Sequence, residues 1–164
     1  MSGATPIEVL EAEHRVIQKM VAGMSVLAEQ LEGGEPADVA LLESIVAFLR
    51  TIADHCHHGK EETFLFPALI RRGVPSHGCP IGGLTMEHQK GRVMVGELAD
   101  AIRGCAAGDA PAREDLVKSL RALVAFYPNH IWKEDYLLFP LAGKVLTPQD
   151  QQEPASRFYL LSRS

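Results

Sequence analysis

Along four long stretches of the chain, apolar residues recur in alternating steps of three and four, and each of these faces also carries histidine or glutamate. The first reads Ile7, Leu10, His14, Ile17, Val21, Met24, Ala28 and Leu31, and the second Leu42, Val46, Leu49, Ala53, His57, Glu61, Phe64 and Ala68. The third reads Leu84, His88, Gly91, Val95, Leu98 and Ile102, and the fourth Leu116, Leu120, Leu123, Tyr127, His130, Glu134, Leu137 and Leu141. That period is the inward stripe of an α-helix packed among others. No segment alternates with period two, so strands are not expected. The expected fold is all-α, an antiparallel four-helix bundle with a short C-terminal fifth helix.

Punctuation places the boundaries. Thr5-Pro6-Ile7-Glu8 combines a capping threonine, a first-turn proline and the glutamate of a capping box. Glu32-Gly33-Gly34-Glu35-Pro36 closes that helix. The second helix is expected over about 38–72, with Pro67 kinking it or ending its regular part. An irregular stretch then runs over 73–83, and a third helix over about 84–105. The fourth begins near Ala112 and should bend at Pro128, and the fifth starts at Thr147-Pro148 and covers about 148–162. With 164 residues the chain reads as a single domain, its bundle spanning about 5–143.

The second and fourth helices contain the same sentence twice. His57-His58-Gly59-Lys60-Glu61-Glu62-Thr63-Phe64-Leu65-Phe66-Pro67 aligns without gaps on His130-Ile131-Trp132-Lys133-Glu134-Asp135-Tyr136-Leu137-Leu138-Phe139-Pro140. Upstream of each copy stands a Glu-His pair, Glu13-His14 and Glu87-His88, at separations of 43 and 42 residues between the histidines. The unit is a helix with one histidine followed by a helix with His-x-x-x-Glu, used twice.

Residues four apart share a helix face, so His57 with Glu61 and His130 with Glu134 can reach one centre. His14 and His88 lie on the inward stripes of their own helices. Six such groups aimed at one buried region are costly without a partner, and a cation cluster removes that cost. Mixed nitrogen and oxygen donors without thiolate suit iron, manganese or zinc. Six protein ligands exceed what one metal with an open site needs, so two metals bridged by Glu61 and Glu134 fit better. Two octahedral ions offer about twelve positions. After two bridging carboxylates, four imidazoles and a bridging oxo or hydroxo group, each metal keeps about one.

The pattern His14, His57-x-x-x-Glu61, His88, His130-x-x-x-Glu134 resembles the hemerythrin-like (HHE cation-binding) domain over about residues 5–143. The oxygen-carrying hemerythrins have a fifth histidine one turn from that of the third helix, where this chain has Leu84 and Arg92, and they end in His-x-x-x-x-Asp. The resemblance is thus to the four-His, two-Glu type, which includes bacterial iron–sulfur repair proteins, although their N-terminal cysteine domain has no counterpart here. It implies a non-haem centre of two Fe ions cycling between Fe(II) and Fe(III), oxo- or hydroxo-bridged. The implied partners are a small diatomic or peroxide ligand (O2, H2O2 or NO) and an electron donor of unidentified kind, in a setting of oxidative or nitrosative stress. Whether such a protein is an enzyme consuming peroxide or nitric oxide stays open. Beside it stand a non-catalytic iron or oxygen sensor working through the 73–83 loop, and a zinc or manganese site without redox role.

The remaining candidates have plainer expected roles. Tyr127, one turn before His130, is expected as a core tyrosine, or as a hydrogen-bond donor or phenolate at the metals. Glu13 and Glu87 are expected to face solvent or neighbouring helices, and Glu62 and Asp135 are candidates to bond imidazole N–H groups. Lys60 and Lys133 are expected to snorkel, His55 and His58 to be solvated, and His77 to be a residue of the glycine-rich loop rather than a ligand. Cys79 sits in the loop, and Phe66-Pro67 and Phe139-Pro140 read as packing and helix shaping. A formal charge of −5 offers no basic face for nucleic acid. The short apolar runs do not span a membrane, and the N-terminus lacks the basic and apolar regions of a signal peptide. Three cysteines without Cys-x-x-Cys agree with a reducing cytoplasm. A monomer or weak homodimer is expected.

Overall fold

The computed structural model describes residues 4–161, and all side chains within them except those at 153–156 and 159–161. Its helices are α1 (Pro6–Glu32), α2 (Val39–Phe48), α3 (Phe66–Arg71), α4 (Ile81–Ala106), α5 (Ala110–Lys133), α6 (Phe139–Val145) and α7 (Pro148–Leu161). Three π-helical stretches, Leu49–His58, Glu61–Leu65 and Glu134–Leu138, weld them into longer rods. The second rod of the bundle runs from α2 to α3, and the fourth from α5 to α6. No strand occurs among the described residues. The order of packing is α1 on α5, α5 on α4 and α4 on the second rod, which returns to α1. This is the four-helix bundle with an added C-terminal helix that the periodicity predicts; the last expected residue of that helix, 162, lies outside the described residues.

The caps act as read. The Thr5 hydroxyl accepts from the Glu8 N–H at 3.2 Å, and the Thr5 N–H donates to the Glu8 carboxylate at 2.7 Å. Thr147 and Asp150 repeat this at α7, and Asp150 also takes the Arg72 guanidinium at 2.8 Å, which ties α7 to the end of the second rod. The third helix starts at Ile81, three residues earlier than the loop's composition suggests. Pro128 lies on the exposed side of α5, and the α-helical pattern runs on past it.

The wide turns change which residues face inward. At each Phe-Pro pair the phenylalanine N–H bonds five residues back, Phe66 to the Glu61 carbonyl and Phe139 to the Glu134 carbonyl. A proline ring collides with the carbonyl four residues before it and brings no N–H, and an i→i+5 turn relieves that conflict. The extra residue slides the inward stripe by one. Leu65 replaces Phe64 and Leu138 replaces Leu137 as the buried residue, and Leu137 is 52% exposed. Phe66 and Phe139 thereby enter the core.

The core falls into two apolar clusters. One fills the end of the bundle holding Ile17 to Leu31, Leu42 to Ala53, Val95 to Ile102 and Leu116 to Ile131. The other holds Leu10, Leu65 to Leu69, Ile81, Leu84, Leu138, Phe139 and Phe158 of α7. Histidines and glutamates occupy the layer between them.

Candidate metal centre

All six groups singled out by the repeat meet in that layer. His14, His57, Glu61, His88, His130 and Glu134 are each at most 1% exposed. The oxygens of the two glutamates divide between two sides. Glu134 turns Oε2 to His14 Nε2 at 3.0 Å and Oε1 to Nε2 of His88 at 3.3 Å and of His130 at 3.1 Å. Glu61 turns Oε1 to His57 Nε2 at 3.5 Å and Oε2 to His88 Nε2 at 3.3 Å. Distance alone does not satisfy these atoms: both Glu61 oxygens, His57 Nε2 and His130 Nε2 have no aligned hydrogen-bond partner among the described residues. Buried polar atoms left this way cost about 1–3 kcal/mol each, more when charged. Two sets of potential ligand atoms lie within 4.8 Å of one another, those of His14, His57, Glu61 and Glu134, and those of His58, His88 and His130. Soft sulfur is absent from both sets, and mixed imidazole and carboxylate donors fit a transition-metal cation.

Behind each imidazole stands a carboxylate. Nδ1–H donates to Asp135 from His14 at 2.6 Å, to Glu13 from His57 at 3.0 Å, to Glu62 from His88 at 2.7 Å and to Glu87 from His130 at 2.8 Å. A carboxylate accepts only, so it fixes the proton on Nδ1 and leaves Nε2 pointing at the centre. Each carboxylate then meets a cation: Arg15 at Asp135, Lys60 at Glu13, Lys133 at Glu87 and Arg92 at Glu62. Phe139 stacks on His14 (5.3 Å, 15°) and Phe66 on His88 (5.7 Å, 16°). The two wide turns are what deliver those rings.

Comparison with known proteins agrees with this geometry. Residues 5–142 match the hemerythrin HHE cation binding domain. The chain belongs to that family. An uncharacterized protein of Mycobacterium tuberculosis (strain ATCC 25618 / H37Rv) is 25% identical over 154 residues, and one of Mycobacterium bovis matches to the same extent. The chain spans about 60% of the length of these mycobacterial relatives while 94% of it is matched. Zinc finger protein BRUTUS of Arabidopsis thaliana is 24% identical over 157 residues, which is 94% of this chain and 12% of that protein.

The electrostatics of this hemerythrin domain follow from the packing. Burial opposes a charge on His14, yet its bonds to Asp135 and Glu134 outweigh that and raise its pKa to about 9. His88 is raised to about 11 against the same penalty, by Glu134, Glu61 and Glu62. Burial pushes Glu134 up, but the imidazoles of His130, His14 and His88 hold it well below the usual carboxylate range. In the protein alone, protons on imidazole supply the positive charge that a cation would supply in their place.

Glu13 and Glu87 face neighbouring helices, one of the two placements expected for them, and each grips the imidazole of the next helix in the bundle. Two other residues sit where their sequence context did not put them. Lys60 does not snorkel: it is 1% exposed, and its ammonium lies 5.4 Å from the Phe158 ring centre. His58 is the largest correction. Expected in solvent, it is 3% exposed and stacks on His88 with ring centres 3.9 Å apart. A turn closing i→i+5 holds more residues than an α-turn, so the neighbours His57 and His58 both fall within its inward sector. The repeat carried the signal, because His58 aligns with Ile131, which is also buried. Tyr127 is buried in the larger apolar cluster, and burial, followed by the charge of Asp54, raises its pKa and keeps the phenol protonated. His55 is exposed, as expected, and His77 and Cys79 are exposed too. No described helix is long and apolar enough to cross a membrane.

Proposed function

We propose that this chain holds two iron ions on His14, His57, Glu61, His88, His130 and Glu134 and reacts with a small oxidant: dioxygen, hydrogen peroxide or nitric oxide. The observation that carries this reading is the way each buried glutamate divides its two oxygens between the His14/His57 side and the His88/His130 side. One carboxylate shared between two imidazole sets is the arrangement a pair of cations asks for. Bound iron would supply one-electron redox chemistry toward such an oxidant.

The protein's own part is positional. Asp135, Glu13, Glu62 and Glu87 hold each Nδ1 proton in place, so that every ring keeps its Nε2 directed inward. Arg15, Lys60, Arg92 and Lys133 hold those carboxylates ionised. Phe66 and Phe139, each 3% exposed, cover two of the imidazoles and keep bulk water from that side.

The test is metal content and the visible spectrum of protein purified in air, before and after hydrogen peroxide. About two irons per chain, with peroxide consumed over many cycles, is the expected result. Two irons without turnover would move the role to sensing or storage. Zinc or manganese in their place, or no metal, would overturn the iron reading.

A further inference from the structure

We propose that His58 is a fifth imidazole ligand of this centre, so that three imidazoles (His58, His88, His130) serve one metal and two (His14, His57) the other. The inference rests on the two-metal reading above and assigns a residue outside the repeat's ligand set.

Three observations carry it. First, the ligand-capable atoms of His58, His88 and His130 lie within 4.8 Å of one another, and all three rings are buried. Second, His58 is mounted like the other four. Its Nδ1–H donates to a carboxylate, Asp54, at 3.3 Å, and Asp54 in turn meets a cation, the Arg92 guanidinium, at 2.9 Å. The same arginine holds Glu62, the carboxylate behind His88, so one cation fixes the outer partners of both stacked rings. The bond to Asp54 holds the proton on Nδ1 and leaves Nε2 as the atom able to ligate a cation. Third, the second half of the repeat has neither part. Ile131 stands where the first half has His58, and Tyr127 where it has Asp54.

The consequence is an unequal pair. With Glu61 and Glu134 shared, three imidazole nitrogens and two carboxylate oxygens would be available to one metal, and two nitrogens and two oxygens to the other. The sequence pattern alone leaves about one free position on each ion. With His58 engaged, only the ion beside His14 and His57 would keep a free position, and a small molecule would bind there.

The experiment titrates metal-free full-length protein with cobalt(II) under anaerobic conditions. Bound metal is counted after gel filtration, and coordination is read from the visible ligand-field bands. Wild type should take up about two ions with two distinguishable band sets. His58→Ala should weaken one of them by about 10- to 100-fold, as loss of a group supporting a metal does, and leave the other near its wild-type affinity. Added imidazole should restore the lost site. A cavity of about 110 Å³ beside His58, walled by Asp54, Gly91, Arg92 and Tyr127 among others, offers it a way in. His55→Ala, an exposed neighbour, should change nothing. His58→Gln serves where the alanine variant does not fold. Two ions bound with wild-type affinities and bands in His58→Ala would overturn the His58 assignment and leave the two-metal reading standing. An equal loss of both sites that imidazole does not restore would likewise overturn the assignment. Failure of the wild type to take up two ions would overturn the two-metal reading itself.

Discussion

The first half of the repeat, α1 with the second rod, and the second half, α4 with the fourth, build the same device from the same parts. In each, the glutamate before the single histidine grips the imidazole of the next rod, and the acid after the inward glutamate grips the single histidine of the other half; a lysine three residues after the imidazole holds the first of these carboxylates. They differ around that device. The first half buries Lys60 under Phe158 of α7, whereas Lys133 is 36% exposed. It also adds Asp54 and His58 where the second half has Tyr127 and Ile131. What has stayed alike is the set of contacts pointing at the centre and the pairs that hold them; what has diverged is how deeply each half is covered.

The largest effect should come where the halves are equal. Glu61→Ala and Glu134→Ala each remove one shared carboxylate, and each should abolish uptake of both ions, measured as metal per chain. If one variant kept both ions, the halves would not be equivalent at the centre. The next effect should separate them. Lys60→Ala removes a buried ion-pair partner and leaves a void, and should cost about 3 kcal/mol in denaturant unfolding. Lys133→Ala loses a partly exposed pair and should cost less than ~1 kcal/mol. Equal losses would show that the α7 cover adds nothing to the first half.

Much of this was legible from the chain. The four stripes, the caps and the six inward groups stand in the sequence because helix period and metal-ligand spacing both act over a few residues. What stayed hidden depends on the wide turns. Around each Phe-Pro pair the residues are apolar in every register, with Phe64 beside Leu65 and Leu137 beside Leu138, so the pattern does not mark the inserted residue. His58 was missed for the same reason, since an α-turn would carry it away from the stripe of His57. The burial of Lys60 was missed for another: Phe158 lies 98 positions along the chain, and no local pattern announces that contact.

The halves also answer pH together when no metal is bound. His14 has a folded-state pKa of about 9, above the ordinary 6.5 of histidine. Its contribution is therefore fully present below pH 6.5 and is lost as pH rises through 9. The shift corresponds to about 3 kcal/mol at most. His88, raised to about 11 in the second half, should hold its share to higher pH. Metal-free protein should thus melt lower at pH 9.5 than at pH 6.5, while loaded protein, its imidazoles neutral and bound, should not show this fall. A flat melting profile for the metal-free protein would mean that the imidazoles do not carry the charge facing Glu134.

A further small effect concerns how each half packs beside its imidazoles. Three residues after the single histidine and four before the paired one, the first half has Ile17 and Ala53, and the second has Gly91 and Phe126. The bulk sits on opposite helices of the pair. A methyl group on Gly91 would meet the Phe126 ring at 3.2 Å, closer than carbon atoms ordinarily approach. That ring is stacked on His130 at 5.4 Å and 10°, so a shift of the ring disturbs the packing of that imidazole. Gly91→Ala should cost about 1 kcal/mol, at the low end for overpacking. It should also weaken metal retention in the second half more than the melting temperature suggests. Pairing it with Phe126→Leu should restore both if the ring transmits the strain. If the double variant restores stability but not retention, the stacked ring itself is what holds His130 on the centre.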